Sequence, residues 1–170
     1  MTAALISWGK GRRAAAAIGA VSLGLLTLSA CEKPTALATV TAGSSTVSAE
    51  ATPGCDAGDK ALSKAEFTAC ISKQGGKTIT VSPGEKVRVG VEPEIAERGW
   101  LAFAGESGEG VSKTHQTYRT IDSSQLFMKQ DPQTRQTYNV DTVTLQVAEY
   151  PKGGGQIPSA IFHFTLKQKD

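Results

Sequence analysis

Three cysteines, two histidines and one closely spaced pair of carboxylates are the residues of this 170-residue chain with chemistry in reach. Cys55 and Cys70 lack the Cys-x-x-Cys spacing of redox sites, which favours a structural bridge over a reactive pair. Closing a loop of that length contributes about 3 kcal/mol in the chain-entropy model. His115 and His163 fall in stretches that alternate as strands do, so they could meet across neighbouring strands and hold a metal weakly. A copper centre would need Cys, His and Met together late in the chain, but Cys70 is early and Met128 stands alone. Surface strand histidines account for both, and no metal ligand is assigned.

Glu92 and Glu94 bracket Pro93 and could work as an acid–base pair, although a solvated loop explains them equally well. The chain has no Gly-x-Ser-x-Gly, no Ser-x-x-Lys and no phosphate loop. Gly105-Glu106-Ser107-Gly108-Glu109-Gly110 is rich in glycine, but no helix start follows it to complete an anion site, and it reads as a tight acidic turn. No catalytic residue and no cofactor is expected, and the chain does not read as an enzyme.

The third thiol, Cys31, closes Leu28-Ser29-Ala30-Cys31, directly after an apolar run over 14–28 and a basic start at Lys10, Arg12 and Arg13. This arrangement resembles the lipobox of bacterial lipoproteins. The resemblance implies diacylglycerol on Cys31, cleavage between Ala30 and Cys31, and a membrane-anchored protein on the extracytoplasmic face. The apolar run is shorter than the ~18 residues of a spanning helix. Arg12-Arg13 is similar to a twin-arginine export signal, but alanines follow the pair, so general secretion is the default route.

Loss of residues 1–30 takes 18 basic residues to 15 against 16 acidic, so the processed chain carries a net charge of about −1. With no Lys/Arg block left, nucleic acid is a poor partner. Residues 31–36 form the lipidated Cys and a short spacer, and 37–170 are long enough for one domain with its own core.

The elements that would position these residues follow from pattern. With Gly43-Ser44 as a two-residue turn, Ala42 faces Ser45, Thr41 faces Thr46, Val40 faces Val47 and Thr39 faces Ser48. Apolar residues then meet apolar ones and hydroxyls meet hydroxyls, which predicts a hairpin. Ser63-Lys64-Ala65-Glu66 has the capping-box pattern, with Phe67, Cys70 and Ile71 on one face, so a helix is expected over 63–73 and the disulfide would pin it down. From Lys77 onward the period is two. Val87, Val89 and Val91, then Val143, Leu145 and Val147, then Ala160, Phe162, Phe164 and Leu166 each mark a buried face. A polar strand is expected from Thr114 to Ile121, and a small core contribution from Leu126-Phe127-Met128.

Such strands predict an all-β antiparallel sandwich with one short tethered helix, preceded by a helical signal peptide. Trp100, in an apolar run after two earlier strands, is similar in placement to the core Trp of immunoglobulin-like domains, although their inter-sheet Cys pair is absent. In sandwiches, binding resides in end loops. Two long loops, Glu92 to Gly99 and Pro151 to Pro158, therefore supply candidate binding residues Glu92, Glu94, Arg98 and Lys152. Gly99-Trp100 is also similar to the pattern of chagasin-like cysteine-peptidase inhibitors, without their Asn-Pro-Thr-Thr element. The leader Gly11-Arg12-Arg13-Ala14, the Leu-Ser-Ala-Cys box and Glu92-Pro93-Glu94-Ile95-Ala96 before Gly99-Trp100 together resemble an actinobacterial lipoprotein family known only as a domain of unknown function. That resemblance implies a Gram-positive host and an extracytoplasmic place but no activity. The reading is a non-catalytic binding or envelope-accessory module with an envelope protein or wall component as partner. A peptidase inhibitor and a weak metal-binding protein are the alternatives.

Overall fold

The computed structural model describes residues 35–104 and 109–169. The leader, Ala30, Cys31 and residues 105–108 of the acidic turn lie outside the described residues. The predicted hairpin is present in the predicted register: β1 (Ala38–Ala42) pairs with β2 (Ser45–Ala49), Val40 opposite Val47 and Thr39 opposite Ser48. Its hydroxyls meet, Thr39 Oγ1 with Ser48 Oγ at 2.8 Å and Thr41 Oγ1 with Thr46 Oγ1 at 3.1 Å.

Strands β3 (Lys77–Val81) and β4 (Lys86–Val91) follow, and then β5 (Trp100–Ala104), β6 (Glu109–Thr114) and β7 (Tyr118–Asp122). Two short strands, β8 (Met128–Gln130) and β9 (Thr137–Asn139), pair with each other, and the chain ends in β10 (Thr142–Glu149) and β11 (Ala160–Gln168). One sheet has the order β2-β1-β4-β7 and is antiparallel throughout. The other has the order β3-β11-β10-β5-β6, and its edge strand β3 runs parallel to β11.

Both sheets bury their apolar faces in one cluster, because alternate residues of each strand point inward. Val40, Val87 and Val89 come from the first sheet, and Trp100, Leu145, Val147, Phe162 and Phe164 from the second. Trp100 is fully buried, so its indole N–H needs a partner, and it donates to the carbonyl oxygen of Gln116 at 2.7 Å. The polar strand expected over 114–121 is two strands. The chain leaves β6 at Thr114 and re-enters as β7 in the opposite sheet, with Val91 N–H donating to Thr117 O at 2.8 Å on the way.

Three short helices occur among the described residues rather than the one expected. α1 (Lys64–Ile71) starts at Ser63, whose hydroxyl accepts from Glu66 N–H while the Glu66 carboxylate accepts from Ser63 N–H. Hydrogen bonding from the Ser63 hydroxyl and, next, from the Ser63 backbone N–H holds the Glu66 carboxyl below its ordinary range. α2 (Pro93–Arg98) takes the place of the loop expected before Trp100, and α3 (Ser123–Phe127) buries Leu126 and Phe127. None of these helices is long and apolar enough to cross a membrane.

Candidate functional site

Of the two stretches singled out as binding loops, the first is helical and packs against the end of β10, just before the second begins. Pro93 stands at the first helical position, Glu94 in the first turn, Arg98 in the last turn and Gly99 at the C-cap, each a helix-terminus signal in its own right. Gly99 takes φ 89°, and its carbonyl accepts from Tyr150 N–H at 3.0 Å, which joins the helix end to the end of β10. The segment before Gly99-Trp100, expected as a loop, is therefore occupied by α2.

Arg98 is the hub of this end. Its guanidinium lies 3.0 Å from Glu94, 2.8 Å from Asp59 and 3.2 Å from Glu149, and its side chain is only 17% exposed. Glu149 is buried at the last position of β10. Burial pushes its carboxyl up to about 7, against the pull of Arg98 and with the help of Asp56, Glu94 and Asp59. One cation shared among several carboxylates cannot hold all of them charged, and the most buried is the one that keeps a proton near neutrality. Arg98 thus clamps α2, the 56–60 turn and β10 together. Glu92 is the exposed N-cap of α2 and makes no side-chain cap bond, and Lys152 is exposed in the 151–155 turn. Nearby, Lys113 Nζ lies 3.9 Å over the Tyr150 ring.

The disulfide joins Cys55 to Cys70, both buried, with Cα atoms 5.8 Å apart. It holds α1 over the outer face of the five-stranded sheet, where Ala148 and Ile161 form a second apolar cluster with the two cysteines and Leu62. Beside that cluster lies a buried polar layer. His163 faces Gln146 across the β10–β11 ladder. Its Nε2 is 3.2 Å from Cys70 O and its Nδ1 is 2.6 Å from Thr52 Oγ1. A carbonyl only accepts, so Nε2 carries the proton and Thr52 donates to Nδ1. Burial pulls the His163 pKa below the ordinary imidazole value. Gln146 Nε2 donates to Ile71 O at 2.9 Å, and its Oε1 has no partner among the described residues. Thr144 Oγ1 donates to Gln74 Oε1 at 2.8 Å.

The two histidines, allowed by the sequence as a joint metal pair, are used separately. His115 lies in the turn after β6, its Nδ1 3.1 Å from Ala96 O at the end of α2, while His163 is held at Nε2 by Cys70 O of α1 and at Nδ1 by Thr52. Among the described residues no group of three or more His, Cys, Asp or Glu could hold a metal ion.

A groove of about 720 Å³ opens where β2 and β3, the edge strands of the two sheets, come close. Leu37, Ser48, Thr52, Lys73, Gln74 and Lys77 line it, with His163 in its wall. Lys73 Nζ donates to Pro53 O at 2.7 Å across it. Sequence reading placed no site here. Compared with known proteins, the chain matches no family model, no curated protein and no solved structure.

Proposed function

We propose that this chain is a lipid-anchored, extracytoplasmic binding module of a Gram-positive envelope, built as an immunoglobulin-like sandwich. The observation that carries the compartment is the Cys55–Cys70 bridge. A buried disulfide that fastens a helix to the segment around Cys55 belongs outside the reducing cytosol. With Leu28-Ser29-Ala30-Cys31 upstream, the natural route to such a place is export as a lipoprotein, and the two chains of a diacylglycerol on Cys31 suffice for stable anchoring. The sandwich reading is supported by the two sheets with one shared core and by Trp100 buried on an interior strand.

A binding role, rather than a catalytic one, is favoured by what the buried polar groups do. Arg98, Glu149 and His163 are engaged in joining elements of the fold. The partner is an envelope protein or wall component. Detergent-phase partition of wild-type and Cys31→Ala protein from cells tests the anchor: the wild type should enter the detergent phase and the variant should not. Equal partition of both would overturn the reading.

A further inference from the structure

We propose that the solvent face of the four-stranded sheet binds an acidic polysaccharide, with a pyranose ring laid on Tyr118 beside Gly90 and its carboxylate held by Arg88. The register builds this face row by row. Ser48, Thr39, Gly90 and Tyr118 lie opposite one another across β2, β1, β4 and β7. Thr46, Thr41, Arg88 and Thr120 form the next row. Their neighbours in sequence, Val40, Val87 and Val89, point into the core, so these rows face water.

Three features select the occupant. Tyr118 is 59% exposed, and its cross-strand neighbour is glycine, so no side chain from that position covers the ring. A side chain at Gly90 would meet only ordinary contacts, 3.7 Å from Thr117 O and 4.0 Å from Thr39 O, so the strand itself does not require the gap. Arg88 holds its guanidinium 5.9 Å from the Tyr118 ring centroid, and among the described residues no carboxylate lies within 4.0 Å of it. Asp122, the acid on the same face, is already paired with Lys86. An aromatic shelf beside an uncompensated cation is complementary to a sugar ring bearing a carboxylate. The Thr39–Ser48 and Thr41–Thr46 hydroxyl pairs each use one proton internally, which leaves a second hydroxyl proton and lone pairs for sugar hydroxyls. A protein partner would need a desolvated apolar centre, which these hydroxyl rows do not offer.

The inference stands apart from the lipid anchor and is tested on the purified full chain in detergent. Tetragalacturonate and its methyl ester are titrated calorimetrically into wild type, Tyr118→Ala, Arg88→Gln and Gly90→Val. The wild type should bind the acid about tenfold or more tightly than the ester. Tyr118→Ala and Gly90→Val should weaken both ligands, and Arg88→Gln should abolish the preference for the acid. Tyr118 and Arg88 are exposed, so those two variants should keep unfolding midpoints near the wild-type value, and Gly90→Val, which replaces a glycine inside a strand without a clash, should not lower it. No binding of either ligand to the wild type at millimolar concentration would overturn the proposal. So would binding that all three variants retain.

Discussion

The imidazole of His163 donates through Nε2 to the carbonyl oxygen of Cys70 at 3.2 Å, so the residue that closes the disulfide is also hydrogen-bonded to the sheet beneath it. The bridge ties α1 to Cys55, whose carbonyl oxygen accepts from Ile161 N–H of β11 at 2.9 Å, and the histidine ties α1 to β11 directly.

Removing the bridge should therefore be costly but local. A Cys55→Ala, Cys70→Ala double variant should lose about 3 kcal/mol in urea unfolding, the loop-closure value. Loss of hydrogen-exchange protection should concentrate in α1 and residues 52–57. A variant as stable as the wild type would show that the bridge constrains nothing.

His163 and Glu149 should give stability opposite dependences on pH. His163 has a folded pKa below its unfolded one, so the unfolded state takes up its proton first, and stability falls as pH drops below about 6.5. Glu149 has a folded pKa near 7 against 4.5 unfolded, so the folded state keeps its proton longer, and that stabilisation is lost as pH rises from 4.5 through 7. Between these limits the two oppose each other. Urea midpoints across the range should show the acid-side loss removed in His163→Gln and the neutral-side loss removed in Glu149→Gln. Unchanged profiles in both would contradict the assignment.

Arg98→Met should destabilise by about 3 kcal/mol at pH 8, where it leaves a buried carboxylate without its cation. At pH 5, where Glu149 is protonated, the cost should be smaller. Adding Glu149→Gln should recover part of the loss at pH 8, and a double-mutant cycle measures the coupling. Strict additivity would mean that the pair does not act as a clamp.

Gly75 and Gly76 both have positive φ, but their surroundings differ. A Cβ on Gly76 would overlap the carbonyl oxygen of His163, whereas one on Gly75 would meet open space. Gly75→Ala should cost only the backbone strain, about 1 kcal/mol. Gly76→Ala should cost several-fold more, because strand β11 must shift. Equal losses in thermal unfolding would refute the close approach.

How far the sequence could be read follows from which forces are local. The hairpin register was legible because Val40 and Val47, and the hydroxyls beside them, can match in only one alignment. The inner faces of β10 and β11 were legible from their period of two. α2 was not, since six residues give too little length for a helical period and its evidence lay in the end signals at Pro93 and Gly99. The clamp at Arg98 was half visible: Glu94 is its i,i−4 neighbour, but Glu149 and Asp59 reach it only through tertiary structure. Thr144, Gln146 and His163 alternated as an outward polar face should, and nothing local reveals that α1 and residues 52–55 cover it.

The most direct test of the account is intact-mass spectrometry of the processed protein recovered from its host. It should begin at Cys31 with the added mass of a diacylglycerol and be found in the membrane fraction. A processed chain with a free thiol at Cys31, released into the medium, would contradict it.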